Sequence, residues 1–167
     1  LYELVRRCVG AVRGTLARVV VNERLDVAVA AGAHGVHLRH DGVPAPRARA
    51  VVGRPFLIGR SIHSVEEARQ ADGSALDYLL FGTVFETASK PGRAAAGPAT
   101  LCAAVAATPL PVLAIGGITP DRAPRLVTTG AAGLAAIGVF VATPDQIRAH
   151  IRALQTAFDT TPTRSLR

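Results

Sequence analysis

Short, nearly continuous apolar runs recur six times along the chain, with helical patterns between them. The six runs are residues 19–22, 35–38, 56–59, 78–81, 112–115 and 134–137. A strand that is buried on both faces gives such a run, and strands of this kind belong to parallel sheets that are covered by helices. The sequence therefore predicts an α/β fold with six parallel strands.

Helix start and stop signals fall between these runs. Ser64 and Glu67 form a capping box, in which the serine caps the helix and the glutamate reaches back. The pairs Thr119-Pro120 and Thr143-Pro144 offer an N-cap followed by proline at the first helical position. Gly130 suits a C-terminal cap. We therefore expect helices to begin near residues 64, 119 and 143, with the last one reaching about residue 158.

The order of these elements fits two architectures. Apolar residues at helical spacing between Leu1 and Leu16 predict an opening helix instead of a strand. A (β/α)8 TIM barrel has eight strands and typically about 250 residues, so six visible strands would indicate a barrel that is truncated at its N-terminus. An open doubly wound sheet would be complete at this length. In either case we expect one domain over 1–158 and a polar tail over 159–167.

The net charge of +7 has two interpretations. It could attract phosphorylated small molecules, or it could be an arginine-rich surface without a partner. The chain has no run of five basic residues, and its few aromatic residues do not alternate with the arginines. These patterns argue against a nucleic-acid partner.

The two cysteines and the apolar segments bear on the compartment. Cys8 and Cys102 lie in apolar helical stretches without metal-binding spacing, so we expect buried thiols in a reducing compartment. No apolar run reaches the length of a membrane span, and no signal peptide opens the chain. The sequence thus predicts a cytoplasmic protein with no membrane partner. Unpaired strand edges in a truncated sheet would favour association between copies, so a homo-oligomer is among the allowed outcomes.

The only lysine, Lys90, follows the fourth predicted strand and stands close to Thr87 and Ser89. Hydroxyl donors beside a compact ammonium group are suited to a phosphate or a diphosphate. The alternative is an exposed lysine in a loop. We favour the anion-binding interpretation because the segment lies at the carboxyl end of a strand.

Polar side chains also mark the first three strands. Asn22 and Glu23 end the first strand, His37 and Asp41 lie in and after the second, and Ser61 follows the third. The two carboxylates could hold Mg²⁺ that bridges a diphosphate, or they could lie on the surface. His37 could contact a ligand or could be a histidine of the core.

Glycines follow the last two strands. Gly116 and Gly117 come after the fifth strand, and Ile137 with Gly138 ends the sixth. Glycine lets backbone N–H groups approach an anion, and a following helix N-terminus favours negative charge. The alternative for each glycine is a tight turn. Two such loops in consecutive units favour phosphate binding, which often occurs after strands seven and eight of a barrel.

These segments together resemble the thiamine phosphate synthase and TenI family. The matching stretches are 21–26, 35–38, 58–64, 77–92 and 114–120, and the Phe-Gly-x-Val-Phe-x-Thr-x-Ser-Lys-Pro pattern at 81–91 is the most specific. The resemblance implies a (β/α)8 barrel that couples hydroxymethylpyrimidine diphosphate with thiazole phosphate. The products are thiamine phosphate and pyrophosphate, and Mg²⁺ assists.

The resemblance also implies roles for individual residues. Those expected at the diphosphate are Ser61 and Lys90, those at the metal are Glu23 and Asp41, and the other substrate-binding residues are Asn22, His37, Thr87, Ser89, Gly116, Gly117, Ile137 and Gly138. The sequence departs from the family at the metal: the first metal-binding Asp corresponds to Glu23 and the second to Gly42, so that the neighbouring Asp41 would substitute for the second. The basic Gln-x-Arg-x-Lys strand end of the family would lie before Leu1.

Two alternatives to the synthase remain within the resemblance. TenI-like proteins aromatise the thiazole phosphate by a proton shift, and the pattern around Ser61 and His63 is close to theirs. The histidine that some of them use corresponds here to Thr83, whose hydroxyl does not titrate near neutral pH. A domain that binds thiazole phosphate without catalysis is the second alternative.

Overall fold

A computed structural model describes residues 1–87, 92 and 94–158 of the chain. The helices are α1 (Tyr2–Ala11), α2 (Leu25–Ala30), α3 (Ala45–Val52), α4 (Val65–Arg69), α5 (Gly97–Ala106) and α6 (Pro144–Phe158). The strands are β1 (Val20–Asn22), β2 (Gly35–Leu38), β3 (Leu57–Ile62), β4 (Tyr78–Gly82), β5 (Val112–Ile115) and β6 (Gly133–Ala135). Two 3-10 helices cover Ala123–Thr129 and Gly138–Phe140.

The strands follow one another in the sheet in the same order as in the chain, from β1 to β6. A doubly wound sheet reverses its strand order at a switch point, whereas the strands of a barrel succeed each other around the sheet. The predicted α/β class, the six strands and the barrel order are therefore confirmed. The doubly wound alternative is wrong.

The described residues form two compact units that interleave along the chain. The first unit comprises Leu1–Ile62 and Gln70–Leu80, and the second comprises His63–Arg69 with the described residues from Phe81 onward. Strand β4 begins in the first unit and ends in the second. The prediction of one domain over 1–158 stays a prediction.

One face of the sheet in the first unit is apolar and packs under helices. Val21, Val36 and Ile58 occupy matching positions of the parallel strands β1, β2 and β3, and all three are buried. Val5 of α1 and Ala28 of α2 belong to the same core cluster as Val21. The next residue of each strand points to the opposite face, because side chains alternate along a strand.

A charged network closes the amino-terminal end of β3 and β4 in the first unit. The Asp77 carboxylate accepts from the Arg49 guanidinium at 2.5 Å, from Arg54 at 2.5 Å and from the Ile58 N–H at 2.7 Å. Arg49 also donates to the carbonyl of Phe56 at 2.7 Å. The Arg49 and Asp77 side chains are only 13% and 15% exposed. The network therefore ties the loop before β3 to the start of β4.

The second unit packs helices against the parallel pair β5 and β6. Leu101 and Ala104 of α5 and Leu126 of the 3-10 helix are buried. No residue of α6 is fully buried, although all fifteen belong to the described part of the chain. An apolar cleft of about 230 Å³ runs along this helix, and its lining residues are Leu134, Phe140, Ile151, Leu154, Gln155 and Phe158.

Local structure departs from the sequence predictions in the helix after β5. The segment forms the 3-10 helix Ala123–Thr129. Pro124 lies in its first turn, where the missing N–H costs nothing, so the helix begins later than Thr119. Gly130 ends it with φ +77°, which confirms the predicted C-terminal cap.

The opening helix is shorter than expected, and both cysteines are exposed where the sequence predicted buried thiols. Helix α1 ends at Ala11, before Gly14 with its φ of +77°, and Leu16 is almost fully exposed. Cys8 and Cys102 are free thiols at exposed positions, so the prediction of buried thiols is wrong. Apolar neighbours did not reveal the side, because α1 buries Val5 alone and α5 turns Leu101 inward instead of Cys102.

The remaining helix signals are confirmed. Glu67 N–H donates to the Ser64 hydroxyl at 3.1 Å, while the Glu67 carboxylate accepts from the N–H of His63 at 2.7 Å. Thr143 and Gln146 cap α6 reciprocally, and this helix ends at Phe158 as expected. None of the helices in the described ranges is long and apolar enough to cross a membrane.

Candidate active site

The polar face of the first unit carries several of the predicted site residues. Asn22, His37 and Gly59 stand in one row of the register across β1, β2 and β3. Strand β3 continues through Ile62, so Ser61 lies within the strand and not in the loop after it. Because residues two apart share a face, Ser61 follows Gly59 on the side that carries His37.

His37 joins two hydroxyl groups. Its Nε2 lies 2.9 Å from the Ser61 Oγ, and its Nδ1 lies 3.2 Å from the Tyr78 hydroxyl. The imidazole and the phenol ring stack with centroids 5.7 Å apart and planes inclined by 26°. Two residues that were predicted separately, His37 and Ser61, are thus brought into direct contact.

Tyr78 is a part of this cluster that the sequence analysis missed. Its ring lies directly over Gly59, where an added Cβ would come within 2.0 Å of the Tyr78 Cζ. A glycine inside a strand is a known sign that another group approaches the backbone closely. That signal could have pointed to an aromatic partner, although it could not have identified Tyr78.

Burial controls the protonation of the cluster. Desolvation lowers the pKa of His37 below its ordinary value, and the negative charge of Glu23 opposes that change. Desolvation, followed by the charge of Asp77, raises the pKa of Tyr78 to about 12. At neutral pH the imidazole and the phenol are therefore both uncharged, and they act as hydrogen-bonding groups.

Glu23 holds an unusual backbone conformation. Its φ is +62°, the only positive value for a residue other than glycine in the described part of the chain. Its N–H donates to the His37 carbonyl at 2.9 Å, and its Oε1 accepts from the Arg39 N–H at 2.5 Å. A Cβ on Gly42 would come within 3.0 Å of both carboxylate oxygens. The carboxylate is thus fixed over the 39–42 turn, and glycine at 42 leaves room for it.

Asp41 lies in the same turn and is half-exposed. Its carboxylate accepts from the Arg39 guanidinium at 2.8 Å. Desolvation raises the pKa of Asp41, but the backbone, Arg39 and His40 together outweigh it and hold that pKa below the ordinary value. The described residues contain no group of three or more His, Cys, Asp or Glu side chains that could hold a metal. The metal-binding roles of Glu23 and Asp41 stay predictions.

The glycine pair of the second unit lies against the segment after β4. Gly116 and Gly117 have φ of +103° and +61°. A Cβ on Gly116 would come within 2.6 Å of Thr83, and one on Gly117 within 2.5 Å of the Glu86 carbonyl oxygen. Both the conformation and the close approach require glycine. The Val84 N–H donates to the Ile115 carbonyl at 2.9 Å and fixes this packing.

Arg122 holds the same two segments together, and sequence reasoning missed it. Its guanidinium donates to the carbonyl oxygens of Glu86 at 3.2 Å and Gly117 at 3.0 Å. It also lies 5.6 Å from the Phe85 ring centroid, and Arg125 lies 5.0 Å from that centroid. Nothing in the sequence distinguishes Arg122 from the other seventeen arginines.

His63 and Thr83 lie on either side of Gly82 in the second unit. His63 Nδ1 is 2.5 Å from the Gly82 carbonyl oxygen, which precedes Thr83 in the chain. Thr83 is buried, and its carbonyl accepts from the Ala96 N–H at 2.9 Å. The His63 imidazole is therefore fixed beside Thr83, the position that corresponds to the histidine used by some TenI-like proteins.

The other predicted site residues have mixed placements. Thr87 is half-buried, whereas Ser89 and Lys90 lie outside the described residues. Ile137 is 63% exposed. Gly138 begins the short 3-10 helix, and open space surrounds the position of a Cβ there. The binding roles of these residues stay predictions.

Comparison with known proteins gives a consistent result. A family profile described as thiamine monophosphate synthase matches residues 1–140. A thiamine-phosphate synthase from a Synechococcus strain is 40% identical over 139 residues, which are 83% of this chain and 40% of the relative. The thiamine-phosphate synthase of Haloquadratum walsbyi is 39% identical over 84% of this chain and 64% of the relative. This chain therefore spans between two fifths and two thirds of these relatives.

A solved structure agrees with the sequence relatives. The thiamine phosphate pyrophosphorylase from Pyrococcus furiosus superposes with a TM-score of 0.82 and is 31% identical. The match covers 95% of this chain and 75% of that structure. The likeness thus extends through both units, each of which has its counterpart in one known enzyme.

Proposed function

This chain belongs to the thiamine monophosphate synthase family, and from that premise we propose that it forms thiamine phosphate. The substrates would be hydroxymethylpyrimidine diphosphate and thiazole phosphate, and the second product would be pyrophosphate. The proposal includes a cytoplasmic location and phosphorylated small molecules as partners. The observation that carries it is the contact of Ser61 with His37 on the polar strand face that also bears Asn22.

The reaction breaks the bond between the pyrimidine methylene carbon and the diphosphate, and the leaving group takes the electron pair. The thiazole nitrogen then bonds to that carbon. Little covalent chemistry remains for the protein, so catalysis depends on holding both substrates and stabilising the charge of the leaving group. In this proposal Ser61 and Lys90 donate hydrogen bonds to the diphosphate. The residues proposed for the thiazole phosphate are Thr87, Ser89, Gly116, Gly117, Ile137 and Gly138.

Mg²⁺ is the cofactor that we propose, with Glu23 and Asp41 as its protein ligands. In phosphate chemistry this ion is often held by one or two carboxylates together with substrate oxygens and water. The fixed Glu23 carboxylate and the half-exposed Asp41 carboxylate of the adjoining turn fit such a set. When bound, the ion would neutralise part of the charge of the diphosphate.

A coupled assay tests the proposal. The chain is incubated with both substrates and Mg²⁺, and thiamine phosphate and pyrophosphate are measured by chromatography. We expect equal amounts of the two products, and a rate at least tenfold lower for Ser61→Ala. Ser74→Ala is the matched control, because that hydroxyl bonds only to Asp72 in an exposed turn among the described residues. The proposal would be overturned if the folded chain bound neither substrate and formed no product.

A second candidate function is the tautomerisation of thiazole phosphate. The observation that favours it is His63, whose imidazole is fixed beside Gly82 and Thr83, since imidazole is a common general acid and base in catalysis. Omitting the pyrimidine diphosphate separates the two functions, since a tautomerase would still convert its substrate and a synthase would give no product. Binding of thiazole phosphate without either reaction would favour a non-catalytic role.

A further inference from the structure

Three side chains of the first unit form a continuous hydrogen-bonded chain. The Tyr78 hydroxyl lies 3.2 Å from the His37 Nδ1, and the His37 Nε2 lies 2.9 Å from the Ser61 Oγ. No further partner of the Tyr78 or Ser61 hydroxyl occurs among the described residues. Either the Tyr78 hydroxyl or the Ser61 hydroxyl therefore has a proton left to donate to a ligand.

Counting donors leaves two arrangements. A neutral imidazole has one N–H donor and one acceptor nitrogen, and each hydroxyl has a single proton to donate. In the first arrangement Tyr78 donates to His37 Nδ1, His37 Nε2–H donates to Ser61, and the serine proton points elsewhere. In the second arrangement Ser61 donates to His37, His37 donates to Tyr78, and the phenol proton points elsewhere.

The chemistry of the two hydroxyls favours the first arrangement. A phenol is a much stronger donor than an aliphatic alcohol, because its oxygen shares charge with the ring, and for the same reason it is the weaker acceptor. The pKa of Tyr78 is raised to about 12 by burial, so the phenol keeps its proton at neutral pH. The ring also stacks on the imidazole and lies over Gly59, which fixes the hydroxyl toward Nδ1.

We propose that Tyr78 and His37 are positioning residues that hold the Ser61 hydroxyl as a donor toward the anionic group of the substrate. With a proton on Nε2, the serine cannot donate to His37, and its own proton is available to an acceptor in front of the sheet. A diphosphate carries acceptors only, so a serine held in this way suits it. This inference rests on the proposed function, in which Ser61 contacts the diphosphate.

The tautomer of His37 provides a test that needs no ligand. In a chain labelled with nitrogen-15, the ring nitrogens of His37 are assigned by comparison with His37→Gln, and their chemical shifts report which one carries the proton. We expect the proton on Nε2. In Tyr78→Phe the phenyl ring keeps its place over Gly59 but the donor is lost, so we expect the tautomer population to change. A proton on Nδ1 in the unaltered chain would overturn the proposal.

Binding of inorganic pyrophosphate, measured by calorimetry, tests the consequence for the ligand. We expect Ser61→Ala to weaken binding about tenfold and Tyr78→Phe at least threefold, because a hydrogen bond to a charged group is lost or misdirected. The double variant should bind as Ser61→Ala does, since Tyr78 acts only through Ser61. Tyr2→Phe, on exposed helix α1, is the matched control.

The outcomes separate the positioning of Ser61 by Tyr78 and His37, which we call the relay, from the proposed function. Effects of the two substitutions that multiply in the double variant would mean that Tyr78 acts independently of Ser61, which overturns the relay. An Nδ1 proton with intact pyrophosphate binding would overturn the relay and leave the proposed function standing. An Nε2 proton in a folded chain without affinity for pyrophosphate would overturn the donor role of Ser61 together with the proposed function.

Discussion

At Gly59 the absence of a side chain makes room for the Tyr78 ring. The substitution Gly59→Ala, which adds one methyl group, tests this packing. An added Cβ would come within 2.0 Å of the ring, closer than any rotation of the phenol can relieve while it stacks on His37. We expect Gly59→Ala to lower the free energy of unfolding by about 2 kcal/mol or more. Denaturation by urea measures the change.

The matched control for this substitution is Gly10→Ala in helix α1. Nothing lies within 4 Å of a Cβ at that position, and alanine in a helix is favoured over glycine by about 0.5 kcal/mol. Gly10→Ala should therefore stabilise the chain slightly. Equal effects of the two substitutions would contradict the close packing of Tyr78 on Gly59.

Glu23 combines backbone strain with a carboxylate that we propose as a metal ligand. Asparagine adopts positive φ more readily than glutamate does, so Glu23→Asn should relieve strain while removing the charge. We expect an unfolding free energy equal to or higher than that of the unaltered chain. Mg²⁺ should no longer strengthen the binding of pyrophosphate, as calorimetry with and without the ion would report.

The opposite result for Glu23→Asn is equally informative. If the variant unfolds more easily and still shows the full effect of Mg²⁺, the carboxylate serves the 39–42 turn through its bond to the Arg39 N–H. The metal would then need other ligands. Magnesium dependence and stability are therefore measured on the same protein preparation.

At the scale of elements, β3 shows both the reach and the limit of the sequence. Its apolar run predicts a strand over 56–59. The structure extends the strand through Ile62: Arg60 continues the pairing with Leu38 of β2, and Ser61 and Ile62 follow in the same strand. A polar residue in a strand carries no apolar signal, so periodicity could not find this extension. The difference matters, since it places Ser61 on the strand face beside His37.

The charged network at the start of β3 and β4 should support stability and not ligand binding. Replacing Asp77 with asparagine removes the charge that two arginines share, and leaves the largely buried Arg49 without its anion. We expect Asp77→Asn to lower the free energy of unfolding by about 3 kcal/mol. The change in the midpoint of urea denaturation measures it.

An exposed ion pair provides the comparison for Asp77. Arg24 and Asp26 are joined at 2.6 Å, but both side chains are more than half exposed. Water and the entropy of the long side chain cancel most of the gain at such a site. Asp26→Asn should leave stability unchanged within error. A similar loss for both substitutions would mean that burial does not strengthen the Asp77 network.

For the whole molecule, the order and the number of elements were predictable, whereas the contacts between side chains were not. Six apolar runs sufficed for six strands, because a parallel sheet needs such runs, whereas the barrel order of those strands was implied by the family resemblance. The residue types of the candidate site were also evident from strand ends. The contact between His37 and Tyr78 depends on the packing of residues 41 positions apart. The exposure of Cys8 and Cys102 depends on which side of each helix faces the core.

The stability of the whole chain should fall in strongly alkaline solution because of Tyr78. Its pKa is raised from 10.0 to about 12 in the folded state, so the unfolded chain loses this proton first. Above pH 10 the unfolded state binds fewer protons than the folded state, and the free energy of unfolding decreases as the pH rises toward 12. Tyr78→Phe should flatten this part of the profile, and Tyr2→Phe should not.

The shared register of Asn22, His37 and Gly59 makes ligand binding a measure of folding quality. If any of these three strands slipped by one residue, its Asn22, His37 or Gly59 would turn to the helix side and the preceding valine or isoleucine would turn to the polar face. No partly slipped chain could keep the row. The stoichiometry of pyrophosphate binding in a refolded preparation would thus count the correctly paired molecules, and a purification could be followed by that number alone.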